Sequence, residues 1–292
     1  MSPSLIDPTA LMRIRSLELR ARVVVEGLWR GLHRSPYHGF SVEFTEYRPY
    51  VKGDDPRHID WKVAARTDRH YIKKYEDETN LRCQLLLDQS RSMAYGSKPD
   101  LKKADYAATL AATLAMFLMK QGDAVGLTTF GEQLVEHIPP RNRPGHLRRL
   151  LVELEKPSEL QGTSLQTSLQ SLAELLKRRG LIVLISDLLA PAADLERQLS
   201  QLAVQGHDVA LFHIIDRNEM EFQFPEAAQF RGMEGGGQLF VNPAAARSSY
   251  LAQHSAHLAE VKRLCDRHRI TYRQALTDQA LDQLLLDWLL TR

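Results

Sequence analysis

Residues 81–93 read LRCQLLLDQSRSM. From Cys83 to Leu87 the run is nearly all apolar, and it stops abruptly at Asp88. A strand buried on both faces has this texture, and such strands belong to parallel sheets covered by helices on each side. A second run of the same kind, Leu181–Ser186 within LIVLISD, stops at Asp187. In open sheets of this kind, ligands bind beyond the carboxyl ends of the strands. The polar residues that end each run are therefore the first place to look for chemistry.

Working outward, strands and helices alternate. Leu101–Gln121 has helical periodicity and ends at Gly122. Ala124–Phe130 reads as a strand, and Gln133–Ile138 as its return after a Gly131-Glu132 turn. Helices are expected over Leu147–Leu154, Ser164–Arg179, Leu195–Gln205, Ala245–His268 and Thr277–Leu290, with Gly180 and Gly206 in helix-stop positions. Further strands are expected over Asp208–Ile215 and Ile270–Gln274, with a hairpin-like excursion over Phe222–Val241. This order predicts an α/β fold, a mostly parallel sheet with helices on both faces. Ahead of it, Pro8–Trp29 reads as one or two helices, Gly39–Asn80 is rich in charge, aromatics and turn residues, and His70–Glu76 reads as a strand. The change of texture near residue 80 suggests a small N-terminal α+β module over 1–80 and an α/β domain over 81–292.

Composition narrows the function classes. The 292 residues carry a net charge of +2, with 43% hydrophobic and 25% charged residues, which is ordinary globular composition rather than disorder. That charge gives no polyelectrolyte signal for nucleic acid. Two cysteines, Cys83 and Cys265, form neither a disulfide framework nor a zinc spacing, and Cys83 reads as core. No run approaches the roughly 18 apolar residues of a membrane span. Charged residues interrupt the first 20 positions, so no signal peptide is read and a cytoplasmic location is expected.

The strand ends collect a chemical set. The first supplies Asp88, Ser90 and Ser92, and the second supplies Asp187. Between them, Gly162-Thr163-Ser164 opens a helix, with Thr163 and Gln166 at capping-box spacing. If these loops are neighbours, two carboxylates and three hydroxyls converge, without imidazole or thiolate. Hard cations such as Mg²⁺ or Mn²⁺ prefer such an all-oxygen shell. Two aspartates at most cancel a divalent charge, so a position remains for an incoming carboxylate. No nucleophile–base pair is evident.

Asp-x-Ser-x-Ser at 88–92, Thr163 and Asp187 resemble the metal-ion-dependent adhesion site of von Willebrand factor A domains, and the resemblance covers residues 81–292. It implies a von Willebrand factor A-like fold and Mg²⁺ held by Asp88, Ser90, Ser92, Thr163 and Asp187. A second resemblance is longer. Arg48, Tyr50, Gly53, Asp54, Asp55, Arg57, Ile59, Asp60 and Trp61, within EFTEYRPYVKGDDPRHIDWKVAARTD, match the recurrent pattern of the bacterial domain-of-unknown-function 58 family. Many members carry two N-terminal transmembrane helices, and this chain resembles the shorter soluble ones. Membership implies work alongside a MoxR-type AAA+ ATPase in chaperone-like maturation or assembly of a client protein that offers an acidic residue. No Walker A sequence is present, so ATP hydrolysis would be the partner's.

The expectation is thus a metal-dependent protein-binding adaptor rather than an enzyme. Two alternatives stand beside it. One is a metal-dependent phosphohydrolase using Asp88, as haloacid-dehalogenase-type phosphatases place an aspartate at a strand end. Those enzymes carry a second aspartate two residues on, where this chain has Ser90, and no lysine partner is evident near the strand ends. The other is a structural scaffold with a non-functional metal site, its contacts made by the N-terminal module. The Arg48–Trp61 cluster reads either as an aromatic-packed plug or as a docking surface. His254/His257 reads as a solvated helix face, Arg141–Arg143 with Arg148 and Arg149 as a solvated basic patch, and Gly235–Gly237 as a turn.

Overall fold

The apolar run 83–87 forms the centre of a six-stranded sheet in a computed structural model. The structure describes residues 6–34, 47–49, 66, 71–73, 81–131, 134–156, 176, 178–190, 192–224, 228–231 and 237–291. It divides into two units, one comprising Met1–Arg34 with Leu81–Arg292 and the other Ser35–Asn80. In the smaller unit, β1 (Tyr47–Pro49) pairs antiparallel with β2 (Tyr71–Lys73). The rest of the Arg48–Trp61 pattern lies outside the described residues.

The larger unit holds β3 (Arg82–Asp88), β4 (Ala124–Phe130), β5 (Leu134–Arg141), β6 (Leu181–Ser186), β7 (Asp208–Ile215) and β10 (Thr271–Leu276) in the order β10-β7-β6-β3-β4-β5. Every pairing is parallel except that of β5 with β4. A separate antiparallel pair, β8 (Ala228–Arg231) with β9 (Gln238–Val241), is the excursion expected over 222–241. β5 runs past Ile138 through Pro139 and Pro140, which an edge strand tolerates because one side of it donates no ladder bonds. Its register with β4 shifts between Val125 and Leu127. There a side chain on Gly126 would meet Gln84 Oε1 at 2.4 Å and the Ile138 carbonyl at 2.6 Å, so the close approach requires glycine.

The helices are α1 (Pro8–Met12), α2 (Leu17–Arg34), α3 (Lys103–Lys120), α4 (His146–Leu154), α5 (Ala192–Val204), α6 (Arg217–Glu221), α7 (Pro243–Arg267) and α8 (Leu281–Leu290). α3 is buried nearly all round, as a helix apolar on every face should be. α2 explains why the larger unit reaches back to the N-terminus. Leu17, Ala21, Val24, Val25 and Leu28 form a helical stripe that is wholly buried in the main core, and Trp29 packs on Phe117 at 5.3 Å. The helices within Met1–Arg34 belong to the same unit as the six-stranded sheet, and Ser35–Asn80 forms the other unit. The last helix begins at Leu281 rather than Thr277, because Thr277 N–H still bonds the Ile215 carbonyl at 3.0 Å as a continuation of the sheet edge. The helix expected over 164–179 falls on residues that are mostly outside those described.

Candidate metal centre

The chain runs from β3 outward to β4 and β5, then crosses back to β6 on the other side of β3. This reversal is a topological switch point, where loops diverge and leave a crevice. Asp88 ends β3 and Asp187 follows β6, so parallel register brings the two aspartates to one edge. Both are buried, as are Ser90 and Ser92. Thr163, the fifth expected donor, lies outside the described residues.

Local geometry fixes each group. Asp88 Oδ1 accepts the Ser90 N–H at 2.8 Å, a turn that folds the chain back over the strand end. Asp88 Oδ2 accepts the Ser186 hydroxyl at 2.6 Å. The Ser90 and Ser92 hydroxyl oxygens lie 3.0 Å apart. After Asp187, Leu188 takes a left-handed conformation with φ of 52°, unusual for a leucine, while its N–H donates to Ser186 Oγ at 3.0 Å. His213, on β7, pins the same loop. A carbonyl only accepts, so His213 Nε2 carries the proton donated to the Asp187 carbonyl at 2.9 Å, and Nδ1 accepts from Tyr272 at 2.9 Å. Burial pushes the His213 pKa down to about 3, so the ring is neutral.

Three partners were not anticipated from sequence. Lys103, the first residue of α3, is fully buried and donates to Asp187 Oδ2 at 2.8 Å and to Glu219 Oε1 at 2.7 Å. This corrects the reading that no lysine lies near the strand ends. Burial opposes the ammonium, but Asp187 and Glu219 outweigh it and hold the Lys103 pKa above its ordinary value. Glu219 belongs to a capping box on α6 with Asp216, the aspartate that follows β7. Asp216 in turn accepts the Ser97 N–H and hydroxyl, each at 3.0 Å, which ties down the loop between Ser92 and α3. His254 and His257 also depart from expectation: half-buried, one stacks on Tyr250 at 5.7 Å and the other meets His213 edge-on at 6.3 Å.

The electrostatics leave a deficit of positive charge. Burial first, and the neighbouring Asp187 second, push the Asp88 pKa up to about 7. With all groups ionised, the carboxylates of Asp88, Asp187 and Glu219 outnumber the single Lys103 ammonium by two charges. Among the described residues no three His, Cys, Asp or Glu side chains are arranged to hold a metal ion, so a cation here depends on hydroxyl donors. The donors fit Mg²⁺. Octahedral ligands at about 2.0–2.1 Å stand about 2.9 Å apart when adjacent, close to the separation of the two serine oxygens. The phosphohydrolase alternative gains little from Lys103, whose charge is committed to two carboxylates, and Ser90 still stands where a second acid is needed.

The sheet order, the single antiparallel edge strand and the Asp-x-Ser-x-Ser turn define a von Willebrand factor A-like fold. The chain belongs to the family described as Protein of unknown function DUF58, whose model matches residues 46–260. It is 27% identical over 263 residues to the uncharacterized protein Rv1480 of Mycobacterium tuberculosis, covering 88% of this chain and 81% of that protein. Among solved structures it is similar to BatB from Bacteroides thetaiotaomicron, at 14% identity and a TM-score of 0.46, over 72% of this chain and 98% of that one. It is also similar to the SpRpn10 VWA domain, at 14% identity and a TM-score of 0.40, over 70% and 94% of the two chains. Among the described residues, no helix is long and apolar enough to cross a membrane.

Proposed function

We propose that the chain is a metal-dependent protein-binding adaptor that works in the cytoplasm with a MoxR-type AAA+ ATPase, in chaperone-like maturation or assembly of other proteins. The observation that carries the metal part is the buried Asp88–Asp187 pair, short of positive charge and lined by the Ser90 and Ser92 hydroxyls. Asp88, Ser90, Ser92 and Asp187, with Thr163 as a further donor, would hold Mg²⁺ or Mn²⁺. The ion, when bound, supplies an electrophilic position for a carboxylate of the client. The protein's own groups prepare that position: Ser186 orients Asp88, Lys103 orients Asp187, and His213 holds the Asp187 backbone. The neutral serines keep the site poor in charge, so that a partner's acid is not repelled. Membership of the family supports the ATPase as partner.

Calorimetry with Mg²⁺ and Mn²⁺ tests the metal. Wild type is expected to bind and Asp88→Ala to fail; equal binding by both, or by neither, overturns the reading. A pull-down with a MoxR-type AAA+ ATPase of the same organism, with and without EDTA, tests the partner. Retention that chelator abolishes supports the adaptor, whereas retention that survives both chelator and Asp187→Ala supports the scaffold.

A further inference from the structure

At the edge of the sheet opposite the aspartates, beside the first residues of β3 and β6, lies a cavity of about 230 Å³. Its polar lining is Arg82, Gln84, His137, Arg178 and His207, and among the described residues no acid lines it. Glu136 and Asp208, the acids next to His137 and His207 in sequence, stand outside that lining, and Glu136 pairs with Arg149 at 3.4 Å. A polar relay fixes His137. Gln84 Nε2 donates to the Thr128 hydroxyl oxygen at 2.9 Å, and that oxygen lies 2.9 Å from His137 Nδ1. The hydroxyl's own proton has no other acceptor, so it goes to Nδ1, and the ring carries its proton on Nε2. Burial lowers the His137 pKa, which keeps the ring neutral. Its Nε2–H has no partner and is not sealed from solvent, whereas both ring nitrogens of His207 are sealed, so His207 is wall rather than donor. The guanidinium of half-buried Arg82 is likewise open to solvent, and neither it nor that of exposed Arg178 has an ion pair among the described residues. Gly180 brings these two segments together: a side chain there would meet the Arg82 carbonyl at 2.3 Å, so the close approach requires glycine.

Two cations at one cavity without a carboxylate repel each other, and an anion between them reverses the sign of that interaction. A single guanidinium fork already satisfies a planar carboxylate. Two forks and an imidazole N–H, arriving from three separate segments, instead match the three acceptor oxygens of a phosphate group. The volume is below the range of about 300–1,000 Å³ typical of drug-sized ligands, so the cavity takes one small group. Pro139, Pro140 and Ile182 give it an apolar wall that bare phosphate cannot use and the carbon of an ester can. We propose that this cavity binds a phosphate monoester: Arg82 and Arg178 hold its oxygens, His137 Nε2–H is the third donor, and the ester carbon lies against the prolines. The site lies apart from the aspartates and needs no metal.

The test is calorimetry on the full chain in EDTA, with phenyl phosphate, inorganic phosphate and benzoate as probes. Phenyl phosphate is expected to bind, inorganic phosphate to bind about tenfold more weakly for want of the apolar contact, and benzoate more weakly still. Phenyl phosphate should also move the His137 Nε2 resonance in NMR. Arg82→Gln should weaken phenyl phosphate about tenfold, while its melting temperature and any Mg²⁺ uptake stay as in wild type. No binding and no shift with either phosphate overturns the site, as does a protein carrying both Arg82→Gln and Arg178→Gln that binds phenyl phosphate as tightly as wild type. Benzoate bound as tightly as phenyl phosphate overturns the phosphate assignment, and inorganic phosphate bound as tightly overturns the ester. None of these outcomes depends on the metal reading of the Asp88 site.

Discussion

Lys103→Met isolates the cation that pairs with Asp187. Methionine keeps most of the lysine's length and apolar stem, so the change removes charge more than volume. The ammonium bridges Asp187 at 2.8 Å and Glu219 at 2.7 Å, and neither it nor Asp187 has solvent to replace the other. Breaking a buried pair from one side costs about 3–5 kcal/mol, because the remaining carboxylate is left uncompensated. Glu219 is partly exposed and adds little to that loss. The expected result is a fall of about 3–5 kcal/mol in unfolding free energy in urea with EDTA present, at unchanged m-value. Adding Asp187→Asn removes the stranded charge, so the double variant should be more stable than Lys103→Met alone, a coupling of at least about 1 kcal/mol. A loss below about 1 kcal/mol, or a double variant no better than the single one, refutes the assignment of Lys103 as the counter-ion of Asp187.

Asp88 predicts a pH dependence of the metal-free protein. Its pKa rises from 3.8 to about 7 on folding, so the native state holds a proton that the unfolded chain has already released. Its stabilising contribution is complete below the unfolded value and is lost as pH climbs through the folded one. In EDTA, wild type should therefore lose stability between about pH 4 and pH 7 relative to Asp88→Asn, and parallel urea profiles for the two proteins would count against it. Gly126→Ala should destabilise by about 1–3 kcal/mol through overpacking, since its new methyl would press on Gln84 Oε1 and on the Ile138 carbonyl. A thermal melt no lower than wild type would show that the β4–β5 edge gives way instead.

What could be read from sequence follows from where the physics is local. Apolar runs that stop at an aspartate mark buried parallel strands, and parallel register then carries Asp88 and Asp187 to one edge. Asp216 obeys the same rule after Leu211–Ile215, so the signal for that strand end was present in the sequence. The packing of the N-terminal helices was not legible for the opposite reason. A change in composition near residue 80 is visible along the chain, but the partners of α2, such as Phe117 on α3, lie far away in sequence.

The cations escaped for a reason that also bears on function. Lysine and arginine read as solvent-facing in an amphipathic pattern, yet Lys103 shares a helical stripe with buried Tyr106, Ala107 and Leu110. Arg20 sits one position before buried Ala21 on a helix whose other face is charged. A basic residue on a buried stripe is thus a local signal, whereas its partner is not: Glu219 is 116 positions from Lys103. Asp88 and Asp187 come from strand ends, where the sheet fixes them, whereas Lys103 comes from a helix laid against the sheet. Lys103 is spent on Asp187 and Glu219. The helix that carries Arg20 lies outside residues 46–260, the span matched by the family model.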